Sequence, residues 1–512
     1  MTNRSSLTVA TYLTHCQYRL VLGTMVDMRV LFISYEIAPL FKVGGLGDVA
    51  GSLPKALAAL GTEISLLTLN YEKLVSPPKV RVGEALTIPF AHRLESVNLY
   101  KTTLPHSDIP VYLLDNISYL RNIFVGQAQF DQFAFFSKAV TEVIHQSKHL
   151  LGRTFDIVHL NDWHGALIPL LLDLQHSPDS PKTLLTIHNF GYQAVAPRST
   201  FEKLHISSKL EDDLEADLAN NKFAFLKQGL LHADFMSTVS PTYREEILDP
   251  RESGKLAKIL QKRKKKVAGI LNGIDTDVWN PTTDHYLSTH FARVQKRTKS
   301  NTKNLLPLAS GKRIIKRHLQ EKIGLPVLED MPLFAFIGRL DAAQKGIDIL
   351  IGALEDMLSR TQMQIVILGT GDHVWEDRLS RLVGAHKTKL AFVDRFDELL
   401  AHTIYAGADF VVVPSRYEPC GLVQMIAMQY GTIPIVRKTG GLADTVEDGK
   451  TGLVFSDYSA RELGGTLKKA IQLYTHDEST LAKMIQAGGK KDFSWKKSAK
   501  EYLQLYKKIL RV

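Results

Sequence analysis

The sequence predicts an α/β protein of two lobes, each built on a mostly parallel sheet, that face one phosphate-bearing ligand across a cleft. Short apolar runs rich in β-formers alternate with helical stretches, the pattern of strands joined by helical crossovers. That pattern restarts after a polar, basic stretch from about Thr282 to Arg317. Each half also carries a basic-flanked glycine loop that opens a helix. The first is Lys42-Val43-Gly44-Gly45-Leu46-Gly47-Asp48 and the second Arg339-Leu340-Asp341-Ala342-Ala343-Gln344-Lys345-Gly346. Backbone N–H groups at the start of a helix attract anions, and a neighbouring Lys or Arg adds charge.

The elements follow in order. Arg29–Tyr35 is a short apolar run and reads as a buried strand. The first glycine loop comes after a connector, then a helix over about Val49–Leu60. Further strands are expected at Glu63–Thr68, Ile157–Leu160, Leu184–Ile187 and Phe235–Val239, with a helix over Phe133–His149 among them. In the second half, strands are expected at Leu333–Gly338, Gln364–Gly369, Phe410–Pro414 and Thr432–Val436, with a helix over Asp348–Leu358. Ligands of open α/β sheets bind at the carboxyl ends of strands, and both glycine loops fall there.

Bulk properties agree. A chain of 512 residues is too long for one core, so two domains are expected. A hydrophobic content of 45% and a charged content of 23% are ordinary for a globular protein. Two cysteines, Cys16 and Cys420, exclude a disulfide framework and a four-cysteine metal site, and point to the reducing cytoplasm. The net charge of +10 is scattered except in Lys262–Lys266, read as a solvated face. No zinc-finger spacing or aromatic RNA-binding signature accompanies it, so no nucleic-acid partner is expected. No apolar stretch reaches the roughly 18 residues that span a bilayer, so no membrane is expected either. Met1–Asp27 has no acid before Asp27, but its apolar segments are broken by His15, Gln17 and Arg19. It reads as a disordered extension or an upstream start ahead of Met28, with a short transit peptide as the alternative.

The chemistry concentrates in a few segments. Gly45-x-Gly47-x-x-Ala50 matches a dinucleotide fingerprint only formally, because Glu36–Val43 separate it from its strand. Lys42 beside the glycines suits a phosphate instead. Arg339 offers a planar fork and Lys345 a mobile point charge, together enough to neutralise a diphosphate; alone, they would read as two surface cations. Pro414–Leu422 places Glu418 at the cleft mouth, where a carboxylate can hold sugar hydroxyls. The N–H groups of Cys420, Gly421 and Leu422 can face a phosphate or sugar. Cys420 has no dedicated base and reads as a small buried thiol. His164 closes another strand and can donate to a sugar oxygen. Asp275-Thr276-Asp277 resembles a metal-holding acid pair, but no His or further acid lies near it, so it reads as a turn.

These motifs converge on a family. From Met28 almost to the end, the chain resembles the bacterial glycogen synthases and plant starch synthases. The resemblance is carried by Lys42–Asp48, Asp162–His164, Thr186–Asn189, Thr238–Tyr243, Gly269–Asp275, Gln344–Gly346, Pro414–Leu422, Arg437–Val446 and Asp492–Trp495. It implies two Rossmann-like, doubly wound lobes of the GT-B type, with ADP-glucose as donor and the non-reducing end of an α-1,4-glucan as acceptor. Transfer would retain the anomeric configuration and need no metal or other cofactor. A relative using UDP-glucose, and a catalytically weak glucan-binding regulator, are the alternatives.

The resemblance further implies an extension over 1–27, an acceptor-side lobe over 28–268, a nucleotide-sugar lobe over 269–490 and a helix over 491–512 returning to the first lobe. His164, Arg339, Lys345 and Glu418 would be catalytic. Lys42, Gly44, Gly45, Asp48, Asn272, Cys420, Gly421, Leu422, Thr439, Gly440 and Gly441 would bind substrate, the glycines through backbone N–H groups. Phe396 falls where the family sets an aromatic against adenine. The lobes would close about the connector before Asn272 and the return near Asp492–Trp495. Departures are Asn161 where the family has His, Gln132 for Arg, Ala128 for an acid, Ala224 for Asn, and an inserted Ala343 between Arg339 and Lys345.

Overall fold

The computed structural model describes residues 28–511 apart from 73, 75–76, 124, 207–211 and 293–305. The expectation for residues 1–27 lies outside the described residues. Among these, no helix is long and apolar enough to cross a membrane.

The first lobe is a ten-stranded sheet. Its parallel part runs Val267–Gly269, Phe235–Thr238, Lys182–Ile187, Ile157–Asn161, Arg29–Ile33, Glu63–Leu69, Pro110–Asp115. Strands buried on both faces read as continuous apolar runs, which is why these were legible. Chain order reverses at Arg29–Ile33: the next strand, Glu63–Leu69, lies on one side of it and Ile157–Asn161 on the other. The loops leaving these strands diverge there and leave a crevice at their carboxyl ends. The second lobe repeats the arrangement with six parallel strands, ordered Leu390–Val393, Gln364–Leu368, Leu333–Ile337, Phe410–Val413, Ile433–Arg437, Leu453–Phe455. Its reversal falls between Leu333–Ile337 and Phe410–Val413.

The structure adds strands the sequence reading lacks. Arg93–Thr103 joins Pro110–Asp115 antiparallel and carries Leu86–Phe90 and Val80–Arg81 beyond it. Leu86–Phe90 alternates buried and exposed positions, a one-faced pattern with no long apolar run. Val267–Gly269 and Leu453–Phe455 are only 3 residues each, too short to show a period. A helix over Leu308–Lys322 begins inside the stretch read as a polar connector and runs past its end. Its lysines mislead because two point inward. Lys316 Nζ reaches Asp409 Oδ2 at 2.7 Å, and Lys312 Nζ reaches Thr432 Oγ1 at 2.7 Å and the Ala406 carbonyl at 3.0 Å. The basic run Lys262–Lys266 is likewise not all solvated. Arg263 donates to the carbonyls of Leu230, Leu231 and Ala233 at the end of a neighbouring helix.

The chain passes between the lobes twice, and the passages touch. Ile274 N–H donates to the Phe493 carbonyl at 2.8 Å, and Ile274 bridges Ser494. Gly273 lies so close that a Cβ there would sit 2.7 Å from the Trp495 nitrogen, so only glycine fits. The helix Trp495–Ile509 then packs on Gly45–Ala58, with Trp495, Ala499, Tyr502 and Tyr506 in one core with Val49, Leu53 and Leu57. His159, buried beneath it, holds Tyr506 Oη at 2.6 Å and Thr186 Oγ1 at 2.7 Å.

Candidate active site

Each reversal point delivers two loops to the cleft. In the first lobe Arg29–Ile33 leads to the Lys42–Asp48 loop, and Ile157–Asn161 leads to His164. In the second, Leu333–Ile337 leads to Arg339–Gly346, and Phe410–Val413 to Pro414–Leu422.

Gly44 is extended, and the helix Gly45–Ala58 begins within the glycine loop, four residues before the expected Val49. Lys42 Nζ pairs with Asp48 Oδ1 at 2.7 Å. Burial raises the Asp48 pKa, and Lys42 opposes that shift. The loop's first N–H groups are not free, however. Val43 N–H and Gly44 N–H both donate to Glu36 Oε2, the latter at 2.8 Å. Gly44 therefore contributes shape to an anion seat, not an unpaired N–H. A Cβ built on Gly45 would meet nothing within 4 Å, so that side of the loop is open.

His164 sits in the single turn Trp163–Gly165, entered through Asp162 at φ 56°. Its ring is stacked between Tyr35 and Trp163, at centroid separations of 3.7 and 4.0 Å, with Phe133 edge-on at 4.6 Å. This burial holds the imidazole neutral, far below its ordinary pKa. Its Nδ1 is buried without a partner among the described residues, and a polar atom so placed calls for one. The Asp162 carboxyl, pushed up to about 7 by burial, accepts the N–H groups of His188 at 2.7 Å and Asn189 at 3.3 Å.

The departures from the family pattern are internally paired. Asn161 donates to the Ile33 carbonyl at 2.9 Å and meets His188 Nε2 at 2.9 Å. Burial drives the His188 imidazole down to about 3, so it too stays neutral. Gln132 ties down the carbonyls of Tyr119 and Asn122 at 2.8 and 2.7 Å. Ala128 begins an exposed helix end, and Ala224 ends the short strand Lys222–Ala224.

In the second lobe the inserted Ala343 is absorbed by a turn. Asp341 Oδ1 accepts Ala343 N–H at 2.8 Å and Gln344 N–H at 3.3 Å, and its carbonyl accepts Lys345 N–H at 2.8 Å. Gly346 follows at φ 73°, where a Cβ would lie 2.1 Å from the Pro414 carbonyl oxygen. Lys345 is thereby aimed inward: its Nζ lies 2.7 Å from Glu418 Oε2. It is not the surface cation its sequence context alone suggests. Glu418 is only 5% exposed and also accepts Ser415 Oγ at 2.9 Å. Arg339 stays half in solvent, fixed by Gln344 Oε1 at 2.8 Å. The Cys420 thiol is pushed up to about 12 by burial, which suits a packed side chain and not a nucleophile. Gly421 takes φ 75°, and Leu422 precedes the helix Val423–Gln429. Asn272 presents a buried, unpartnered Oδ1. Phe396 is 84% exposed, past the end of Leu390–Val393.

The Thr439–Gly441 turn differs from expectation. Gly440 N–H donates to Glu246 Oε1 of the first lobe at 2.8 Å, joined by Thr439 Oγ1 at 3.1 Å. Gly441 N–H donates to the Glu418 carbonyl at 3.0 Å. These amides thus anchor Glu418 and clasp the lobes. Asp275 Oδ1 accepts the N–H groups of Asp277 at 3.0 Å and Val278 at 3.3 Å, the turn the sequence suggests. Among the described residues no cluster of three or more His, Cys, Asp or Glu could hold a metal ion. Sequence reasoning missed Tyr35, Glu36 and Glu246. Only for Glu36 was there a signal, a lone acid just before the apolar connector Ile37–Phe41 ahead of the glycine loop.

Two facing doubly wound lobes, with cationic loops and a buried lysine–glutamate pair at their reversal points, define a glycosyltransferase of the GT-B class. Solved structures agree. The catalytic domain of Starch Synthase IV from Arabidopsis thaliana, bound to ADP and acarbose, superposes with a TM-score of 0.84 at 30% identity, over 95% of this chain and 100% of that one. Sucrose-phosphate synthase from Thermosynechococcus elongatus shares the fold, with a TM-score of 0.59 at 22% identity over 94% and 99% of the two chains. Residues 29–262 match the starch synthase catalytic domain family, and residues 320–491 match glycosyl transferases group 1. The glycogen synthase of Thermotoga maritima is 37% identical over 94% of this chain and 99% of its own, and that of Bacillus subtilis 35% over 94% and 99%. The chain belongs to the glycogen and starch synthase family.

Proposed function

We propose that this chain transfers glucose from ADP-glucose to the non-reducing end of an α-1,4-glucan, retaining the anomeric configuration, releasing ADP and using no metal. The observation that carries this reading is the Lys345–Glu418 pair, a buried charge pair at the sugar-facing end of the second lobe with Arg339 beside it. As the bond to the anomeric carbon breaks, negative charge grows on the diphosphate. Lys42, Arg339 and Lys345 are the cations that neutralise it, which is transition-state stabilisation by preorganised charge. Glu418 takes hydroxyls of the donor glucose. Neutral His164 and Asn272 offer their unpartnered polar atoms to the same sugar, and Phe396 packs on the base. Gly45 and the turn before the helix Val423–Gln429 line the phosphate path. These three cations would take the neutralising role that a metal has in other transferases. The partners are the nucleotide sugar and the glucan, met in the cytoplasm, with no nucleic acid or membrane involved.

Purified protein, glycogen primer and labelled ADP-glucose or UDP-glucose, run in parallel, test this reading. Label should enter polymer from ADP-glucose in a form that α-amylase releases. Preference for UDP-glucose would overturn the donor, and no incorporation from either would overturn the transferase reading.

A further inference from the structure

Glu36 is 1% exposed, yet two backbone donors converge on its carboxylate. Val43 N–H and Gly44 N–H reach its Oε2, and burial together with the charge of the same carboxylate raises the pKa of the neighbouring Tyr35 phenol. The Tyr35 ring in turn lies on His164, 3.7 Å between centroids and 26° from parallel. The packing is tight on both sides. A Cβ on Gly47 would come within 3.2 Å of Glu36 Oε2, and one on Gly44 within 3.7 Å of its Oε1. Ser34 Oγ donates to the Glu36 carbonyl at 2.7 Å, holding the backbone that presents the side chain. One carboxylate therefore joins two pieces of the first-lobe half-site that arrive from different strands: the glycine loop with Lys42, and the His164 ring.

We propose that Glu36 is a positioning residue that sets the glycine loop and, through Tyr35, the His164 ring in one geometry, so that the diphosphate and the donor sugar are met together. A carboxylate suits the place because it accepts from every side. In Glu36→Gln the amide oxygen can still take both loop N–H groups, but without the carboxylate's charge, and its NH2 meets the Tyr35 phenol as a donor where the carboxylate could only accept. Hydrogen bonds to a charged acceptor are roughly twice as strong as neutral ones. The proposal rests on the cleft being the donor site, but its geometric half does not.

The test uses Glu36→Gln, Tyr35→Phe and the double variant, with amide exchange over residues 40–48 in the free protein and kcat and KM for the nucleotide sugar. Glu36→Gln should speed exchange in the loop, raise KM and lower kcat on the order of tenfold or more, the scale of hydrogen bonds to a charged group. Tyr35→Phe should leave loop exchange as in wild type and lower kcat a few-fold. The double variant should be no worse than Glu36→Gln, because both act through one link. Unchanged loop exchange with kcat within twofold of wild type in Glu36→Gln overturns the proposal, as does full additivity in the double variant. Should Glu36→Gln not fold, Tyr35→Phe decides alone, and wild-type kcat there is fatal. If wild type itself transfers no glucose, the donor reading fails, while loop exchange still judges the Glu36 link.

Discussion

The two lobes each bring a lysine paired with a carboxylate at 2.7 Å, and the pairs differ in depth. The side chains of Lys42 and Asp48 are 41% and 35% exposed; those of Lys345 and Glu418 are 25% and 7% exposed. An ion pair in solvent is worth about 0–1 kcal/mol, so a ligand can replace either partner of the first-lobe pair at little cost. A buried carboxylate that loses its cation is left unpaired in low dielectric, which is strongly unfavourable. The second-lobe pair is therefore built into the fold. The first-lobe half-site is an adaptable rim, shaped from beneath by Glu36.

The largest effect should come from breaking the buried pair. On the proposed function Lys345→Ala removes a charge that neutralises the leaving diphosphate, with an expected loss in kcat on the order of a hundredfold or more. It also strands Glu418, so stability should fall by about 2 kcal/mol, discounted from the fully buried case because Lys345 keeps part of its surface in water. Thermal unfolding checks the second half. Lys345→Ala combined with Glu418→Gln should recover stability but not turnover. Wild-type kcat in Lys345→Ala would show that the lysine is only structural.

Breaking the exposed pair should cost less. Lys42→Ala is expected to lower kcat/KM about tenfold, the lower range for one electrostatic contact, with unfolding unchanged within about 0.5 kcal/mol. If Lys42→Ala proved as damaging to stability as Lys345→Ala, the contrast between rim and core would be wrong.

How much of this was legible in the sequence follows the same division. Strands with both faces covered announce themselves as apolar runs, so Arg29–Ile33 and Phe410–Val413 were visible, as were the loops they feed. The antiparallel flank over Arg93–Thr103 was not, because one of its faces is wet and its alternation is broken by polar residues. Candidate site residues were legible through the segments that carry them, Lys345 in Gln344–Gly346 and His164 in Asp162–His164. Partners were not. Lys345 meets Glu418 across a sequence separation of 73, and Gly440 N–H meets Glu246 across one of 194, so both pairings appear only once the chain has folded. A backbone amide carries no sign in the sequence of what it will donate to.

Acid should separate the lobes next. Burial holds the imidazoles of His159 and His188 at about 3 in the folded first lobe, against an ordinary value near 6.5 in the unfolded chain. Between those values the unfolded chain binds protons that the folded lobe excludes, so stability is complete above about pH 6.5 and falls as pH drops towards 3. Amide exchange should show the strands Ile157–Asn161 and Lys182–Ile187 losing protection before Leu333–Ile337 does as pH is lowered from 7 to 4. In His159→Gln the acid sensitivity should shrink even if stability at pH 7 also drops, since Tyr506 Oη and Thr186 Oγ1 lose a shared partner. Equal loss in both lobes would place the acid lability elsewhere.

The smallest effect expected is that of chelation. The nearest approach to a metal site is Asp275 with Asp277, and its geometry works against one. Asp275 Oδ1 is committed to two backbone N–H groups of its own turn, and Oδ2 faces Ser52 Oγ at 3.5 Å. A divalent cation would have to displace those donors and would find no third carboxylate or imidazole among the described residues. Its usual task, neutralising a diphosphate, already has three candidates in Lys42, Arg339 and Lys345, of which Lys42 and Arg339 are exposed enough to reach a ligand. EDTA should therefore leave incorporation from ADP-glucose within about 20% of the untreated rate, a margin that allows for the screening of exposed charges by added salt. Asp275→Asn should keep most activity, because its amide oxygen can still accept the turn N–H groups. Loss of turnover on chelation, restored by Mg²⁺ or Mn²⁺ and absent in Asp275→Asn, would transfer part of the phosphate chemistry from the cationic rim to a bound ion and undo the comparison at its first-lobe side.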